Sequence, residues 1–365
     1  MFHSLHEVGG LHAAARAVGG CPVYVSDAPG QHDIPLLRRL VLPDGSVLRG
    51  RLPGRPTRDC LFSDVGTDGV SALKVWNANR VGGVVGAFHI QGVAWDWRRH
   101  ENAVIDASPP PVRVEVRPCD VETLRGSPQA KQGPTTAGQG AGTAGAGTGE
   151  PRFAIWRHRG ARLHIAEDAN APISFELRHR EWEVLTIVPV QQALVQSATT
   201  ATQQPSVQPS TAGEEVMPVR AVRWAPLGLG EMINGGGALL EAGNLTTVNT
   251  SSDHDEPSAA APEGAADAAA APVEAEAATP TTTAIVEAKV TCRAPGRFVA
   301  FCQPAPTRVY LKVLDADGDG GGGGGGGGGQ LAVAEPLAFT HDAESGKLEV
   351  MLHGSTVELT VLWGS

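Results

Sequence analysis

From residue 70 onward the hydrophobic period of the chain changes from 3.6 to 2, and this change restricts the fold more than any other feature. Twelve short segments read as strands: residues 71–76, 81–91, 112–116, 153–156, 173–177, 182–190, 219–224, 285–292, 297–301, 308–314, 348–352 and 357–362. Alternation is cleanest in Val112-Arg113-Val114-Glu115-Val116 and Val357-Glu358-Leu359-Thr360-Val361, where every second side chain is apolar. Many short strands separated by turn residues predict an antiparallel β-sandwich, and a hydrophobic content of 41% is enough to fill its core. Tryptophans 76, 95, 97, 156, 182, 224 and 363 are spread through this half. For Trp95 and Trp97 an aromatic sugar platform is one reading. Core or inter-sheet packing is the stronger expectation for each of the seven.

Four segments interrupt the strands. Residues 126–149 are rich in Gly, Thr, Ala and Gln, 191–215 in Gln, Ser, Thr and Pro, 251–283 in Ala, Pro and Glu, and 318–329 are nearly pure glycine. None carries enough apolar surface to offset the entropy of ordering it, so all four are expected to be disordered insertions in surface loops. Two of them imitate motifs. Gly140, Gly142 and Gly145 reproduce the G-x-G-x-x-G spacing, but no strand precedes them and no helix follows. Asp315, Asp317, Asp319 and Gly320 reproduce the opening of an EF-hand loop, but Gly326 stands where a bidentate glutamate is needed.

The first 61 residues have the other period. Residues 1–18 read as a helix with Leu5, Leu11, Ala14, Ala15 and Val18 on one side, its first turn frayed or shifted by Gly9 and Gly10. Residues 22–26 read as a short buried strand, Asp27 to Gly30 as a turn, and 34–42 as a helix with Ile34, Leu36, Leu37, Leu40 and Val41 inward. Pro43-Asp44-Gly45 stops that helix, so strand, turn and helix make one βα unit. His3, His6 and His12 share no helical face with an acidic partner, and no metal site is expected from them. In the Pro- and Gly-fixed loop 51–62, Arg55, Arg58 and Asp59 are expected to form a charge-assisted clamp, read as an interdomain staple in preference to a sugar contact. A net charge of −10 without a basic stripe argues against nucleic acid, and no apolar run approaches the ~18 residues of a membrane helix. Five cysteines without a C-x-x-C pair read as reduced thiols, so a cytoplasmic location is expected, with a plastid as the open alternative.

The strings HAAARAVGGCPVYVSDAPGQHD, LVLPDGSVLRGRLPGRPTRDCLF and LKVWNANRVGGVVGAFHIQG resemble the plant raffinose synthase group of glycoside hydrolase family 36. That group holds galactinol–sucrose galactosyltransferases, stachyose synthases and the alkaline α-galactosidases, or seed imbibition proteins. The resemblance is dense over residues 1–120 and returns at 224–238 and 339–352. It implies a C-terminal portion of a longer enzyme: residues 1–52 as the last βα unit of a truncated (β/α)8 barrel, and 53–365 as a β-sandwich carrying the insertions. The expected fold is therefore mainly β. Residues 1–48 are expected to pack on the sandwich or stay loose, exposing an apolar face that further barrel would cover.

The resemblance also implies retaining chemistry, with two carboxylates about 5–5.5 Å apart. The Lys-x-Asp and Ser-Asp-Asp strings that carry them in the group precede the matched region and are absent here, so no catalytic residue is expected and the chain alone should be inactive. Residues at the C-terminal end of a barrel strand face the active site, which makes Ser26 and Asp27 the expected substrate-binding residues, at the rim of the donor pocket. The implied partners are galactosides (galactinol, sucrose, raffinose), with no cofactor. A raffinose synthase-like protein is the first reading; an α-galactosidase portion, or a non-catalytic sandwich that binds carbohydrate or a partner, is the alternative.

Overall fold

The computed structural model describes residues 1–125, 135–136, 152–196, 219–241, 243–250, 283–314 and 334–364. Two helices come first, α1 (Gly9–Gly19) and α2 (Ile34–Arg38). The strands through residue 189 are β1 (Arg55–Pro56), β2 (Leu73–Ala78), β3 (Gly83–Phe88), β4 (Val93–Asp96), β5 (Glu101–Val104), β6 (Val112–Val116), β7 (Thr135–Thr136), β8 (Phe153–Arg157), β9 (Arg162–Ala166), β10 (Ile173–Leu177) and β11 (Trp182–Pro189). Then come β12 (Gln191–Gln196), β13 (Val219–Leu229), β14 (Leu245–Thr250), β15 (Thr283–Cys292), β16 (Gly296–Gln303), β17 (Arg308–Val313), β18 (Glu335–Pro336), β19 (Phe339–Asp342), β20 (Lys347–Leu352) and β21 (Val357–Trp363). The chain is mainly β, as its alternation predicts. Each of the twelve expected segments overlaps an observed strand, and the ladders among the described residues are antiparallel except β7 on β12.

Apart from the β4–β5 hairpin, the strands fill two successive sandwiches. In the first, the sheet β1-β2-β3-β11-β8-β9 packs against the pair β10-β6. Val112, Val114 and Val116 of β6 and Phe175 and Leu177 of β10 meet Val85, Ile155, Leu185 and Ile187. In the second, β19-β20-β16-β13-β12-β7 faces β14-β15-β21-β17-β18 around Trp224, Phe298 and Trp363. The Trp224 and Trp363 rings meet edge to face, 5.7 Å between centroids. Strand β11 is buried at every position because both its faces are covered. Leu185 and Ile187 point into the first sandwich, and Trp182 and Val184 point to the N-terminal segment. Glu183 and Thr186 are buried along with them, so this strand has no solvent face.

The N-terminal 48 residues pack on the outer face of the first sheet. Ala13, Ala14, Ala17 and Val18 of α1 lie on Val84, Phe88, Trp182 and Val184, and Phe2, Leu36, Leu40 and Ile233 complete the cluster. The small alanines let helix and sheet approach closely.

Several sequence expectations need correction. The helix expected over 1–18 begins at Gly9, after turns. A Cβ on Gly9 would lie 2.3 Å from the Ser4 carbonyl oxygen, so the turn tightens where only glycine fits. The strand expected at 22–26 is a single parallel bridge, Phe2 with Val25. The helix expected over 34–42 ends at Arg38, because the chain folds back around Pro43-Asp44-Gly45: Leu42 N–H donates to Ser46 O at 2.8 Å, and Val41 bridges Val47. Ile34 and Val41 are consequently exposed. Of the expected insertions, residues 191–196 are β12, a full ladder on β13, and 135–136 and 283 also belong to strands. The rest of those segments, with both imitated motifs, lies outside the described residues. Finally, Trp95 and Trp97 are not core residues but stand on the surface.

Candidate functional site

The parallel bridge between Phe2 and Val25, with Ser26 N–H donating to Phe2 O at 3.0 Å, sets the two following dipeptides side by side. His3-Ser4 leaves one segment and Ser26-Asp27 the other. Asp27 is the joint between them. Its Oδ1 accepts the Ser4 N–H at 2.7 Å and its Oδ2 the Ser4 hydroxyl at 2.6 Å. His32 Nδ1 lies 3.1 Å from Oδ2, and His3 Nδ1 3.9 Å from Oδ1. The Ser4 Oγ in turn accepts the Asp33 N–H at 2.8 Å, and Asp33 Oδ1 caps α2 through the Leu36 N–H at 3.0 Å. The Ser4 bonds hold the Asp27 carboxyl below the usual carboxylate range against the opposing pull of desolvation, and His32 adds to them.

The two expected site residues therefore differ in role. The Asp27 side chain is only 3% exposed and its oxygens are already engaged, whereas His3 is 65% exposed and Ser26 Oγ has, among the described residues, only a 3.4 Å contact with His3 Nε2. The open donors and acceptors of the cluster are Ser26, His3 and His32; Asp27 holds them in place. His6 and His12 turn away, their rings tilted against each other with centroids 5.4 Å apart. No group of three or more His, Cys, Asp or Glu among the described residues is arranged around an ion.

Removing the joint has a specific consequence. Asp27→Ala is expected to free residues 1–8 without unfolding the sandwiches, so that chymotrypsin, which can cut after Phe2 and Leu5, trims the N-terminus at least several-fold faster while the far-UV spectrum holds. The same release is expected in wild type as pH falls below about 4. A carboxylate with a depressed folded pKa stabilises above its unfolded value and ceases to as it protonates.

The Arg55, Arg58 and Asp59 clamp closes on the first sandwich. Arg58 Nε binds Glu122 at 3.0 Å, Arg55 lies over the Trp76 ring, and Asp59 meets Lys74 Nζ at 2.7 Å. Lys74 was not legible as a site residue. It is a buried cation on β2, held also by Asp120 at 3.3 Å and the Glu115 carbonyl at 2.6 Å. Desolvation raises Asp59, but the bonds from Lys74 and Thr57 outweigh it and lower its pKa. Asn77 and Asn79, two further buried polar residues at the end of β2, were also missed. Asn77 binds Val18 O and Leu52 O, and Asn79 Nδ2 donates to Asn234 Oδ1 at 2.8 Å, tying the first sandwich to the second. The available signal was the Trp76-Asn77-Ala78-Asn79 string, which puts carboxamides where a buried strand expects apolar side chains.

Two concavities flank this region. A groove of about 510 Å³ between α2 and the second sandwich is lined mainly by Ile34, Leu37, Val41, Leu229, Met232 and Pro295. A second, of about 460 Å³, lies among Pro22, Val23, Ser46, Val47, Arg49 and Arg293. Neither brings two carboxylates together.

The comparisons with known proteins match the same strings. The family described as raffinose synthase or seed imbibition protein Sip1 matches residues 1–202. A probable galactinol–sucrose galactosyltransferase 1 of Arabidopsis thaliana is 40% identical over 241 residues, 66% of this chain and 26% of that protein. The galactinol–sucrose galactosyltransferase of Oryza sativa subsp. japonica is 35% identical, over 66% of this chain and 25% of its own length. A stachyose synthase of Pisum sativum is 29% identical, over 66% and 24%. The chain thus spans about a quarter of the length of the curated relatives it matches. The family match takes in the Ser4–Asp27 joint, the clamp loop and the β2 asparagines, and this chain belongs to the raffinose synthase or seed imbibition protein family.

Proposed function

We propose that this chain supplies the rim of a galactoside pocket in a raffinose synthase-type enzyme that moves a galactosyl group from galactinol to sucrose. Residues 1–52 act as a barrel βα unit and 53–365 as the β portion that supports it. The observation that carries the reading is the parallel Phe2–Val25 bridge across helix α1. Parallel strands joined through a helix are the repeating unit of a (β/α)8 barrel, and sites in such barrels lie at the C-terminal strand ends. His3, Ser4, Ser26 and Asp27 follow that bridge at the same end.

In this arrangement the Ser26 hydroxyl and the His3 and His32 rings hydrogen-bond sugar hydroxyls, while Asp27, anchored by Ser4, fixes their positions. The chain contributes binding and orientation. The nucleophilic and acid–base carboxylates of a retaining transfer belong to barrel strands other than this one. The names of the relatives favour transfer over hydrolysis. The five free thiols fit a reducing compartment, and the cytoplasm is the location that follows.

The test has two arms. The isolated chain should release no galactose from galactinol, with or without sucrose; turnover by it alone would sink the reading. In the full-length Arabidopsis relative, alanine at the position matching Ser26 should raise KM for galactinol about 3–10-fold with a smaller change in kcat, as expected for one lost hydrogen bond. Unchanged KM would remove Ser26 from the pocket.

A further inference from the structure

We propose that the β4–β5 hairpin is a second carbohydrate-binding site, a flat platform for a neutral oligosaccharide built from Trp95, Trp97 and Asn102. Its ligand class rests on the galactoside reading above, but its location and its residues do not.

Among the described residues the two strands of the hairpin pair only with each other. Their pairing puts Val93 opposite Val104 and Trp95 opposite Asn102. Directly opposed residues share a face, and this face is the exposed one: Trp95 is 45% and Trp97 79% exposed, while Ala94, Asp96 and Ala103 behind them are half-buried. The two indoles stand at 80°, 6.3 Å between centroids. They present one broad π face beside one edge. Among the described residues none hydrogen-bonds the Asn102 carboxamide, which is exposed directly opposite Trp95.

The platform is preorganised. At its base Gly92 N–H donates to Gly66 O at 2.8 Å, and Gly92 O accepts the Ile105 N–H at 2.9 Å. Gly92 has φ +91, and a Cβ there would lie 2.2 Å from Asp106 O. At its tip Asp96 Oδ1 accepts the Arg98 and Arg99 N–H groups at 2.8 and 3.1 Å, and Asp96 O accepts the His100 N–H at 2.8 Å. The indoles are thus held in place on a short, doubly fastened ribbon, and a ligand would pay little to order them.

The composition of the face selects the occupant. Its own residues, Val93, Trp95, Trp97, Asn102 and Val104, are uncharged, so a neutral ligand suits it, and its aromatic surface paired with a carboxamide matches the apolar ring faces and hydroxyl edges of a sugar. Its size points the same way. Four residues of strand span about 13 Å and the two strands lie about 5 Å apart, an area on the order of 100–200 Å² against the ~800 Å² per partner of a stable protein interface.

The experiment is a titration of the full 365-residue chain with raffinose, followed by calorimetry and by the indole N–H resonances of Trp95 and Trp97. Saturable millimolar binding is expected, with both resonances shifting. Trp97→Ala should weaken it about tenfold and Asn102→Ala about threefold, while Trp97→Phe keeps it within about twofold. Both tryptophans are on the surface, so the variants should retain the wild-type far-UV spectrum. No saturation by about 50 mM raffinose would overturn the proposal. So would binding lost in Ser26→Ala but intact in Trp97→Ala, which leaves the pocket reading standing. Binding lost in Trp97→Ala and intact in Ser26→Ala establishes the hairpin site whatever becomes of the pocket. Concentration-dependent dimerisation abolished by Trp97→Ala, or cosedimentation with phosphatidylcholine vesicles in place of sugar binding, would assign the face to a second copy or to a lipid surface and overturn it as well.

Discussion

Asn77→Ala is expected to cost this protein about 4 kcal/mol, and Asn77→Asp to leave it largely unfolded at pH 7. The Asn77 side chain is fully buried at the point where three parts of the chain meet. Its Nδ2 donates to Val18 O at the end of α1 at 2.7 Å and to Leu52 O at 2.6 Å, and its Oδ1 accepts the Leu52 N–H at 2.9 Å. Gly20 and Gly50 make room for it: a Cβ on Gly50 would lie 2.3 Å from the Asn77 Nδ2, and one on Gly20 2.0 Å from Leu52 O. Alanine would strand two carbonyls and one N–H with no water to replace the carboxamide, at about 1–3 kcal/mol for each. Aspartate preserves the shape but aims a carboxylate at two carbonyl oxygens, and burying an unpaired charge costs more than losing the bonds. Urea unfolding checks both. The alanine variant should move the midpoint down with the slope unchanged, since the native surface is the same. The aspartate variant should regain part of its helix signal near pH 4, where the protonated acid can again donate one bond. An alanine variant within about 1 kcal/mol of wild type would mean that the joint relaxes and the carboxamide is dispensable.

The same residue shows where the sequence stops being legible. The sandwich strands were readable because alternation is a local property: Val112 to Val116 and Val357 to Val361 announce their buried faces without help from the rest of the chain. Strand β12 was not, because Gln191, Gln192 and Gln196 resemble the low-complexity residues that follow, and only the β13 ladder makes them a strand. Helix α2 was overextended because Leu40 and Val41 continue its period. The competing signal, Asp44 fastening the turn through Ser46, acts over two residues and ends the helix early. For Trp95 and Trp97 the general habit of tryptophan favours packing over a surface platform, and local sequence does not override it. The Ser4–Asp27 joint spans 23 positions and exists only because a parallel bridge aligns its two halves. Candidate pocket residues were thus nameable from the βα pattern, but the division of labour between Ser26 and Asp27 was not.

His158 should make the protein acid-sensitive well above the range where carboxylates titrate. Its ring is buried against Trp182, 6.2 Å between centroids and nearly parallel, and its Nε2 accepts a hydrogen bond from Arg39. Burial, and then the positive charges of Arg39, Arg159 and Arg297, push its pKa down to about 3. The folded protein therefore holds this imidazole neutral, while the unfolded chain binds a proton near pH 6.5. Below that value the unfolded state carries the extra proton, so stability is complete above about pH 6.5 and falls by about 1.4 kcal/mol per unit as the pH drops toward 3. Between pH 7 and 4.5 this single group accounts for about 3 kcal/mol. Comparing urea midpoints at those two pH values in wild type and His158→Gln isolates it, because glutamine can still accept from Arg39 but cannot charge. The variant should lose about 3 kcal/mol less than wild type over the interval, and the His158 ring signals in wild type should not titrate above pH 4. The failure should begin at a defined place. Arg39 closes the end of α2, its carbonyl accepts the Ile233 N–H at 3.0 Å and its guanidinium binds His158, so a protonated His158 would expel the guanidinium and leave α2 tied there by its backbone bond alone. Amide exchange in α2 and residues 231–234 should accelerate on acidification before exchange in β11 does, since the element that loses its anchor opens ahead of the sheet that carried it.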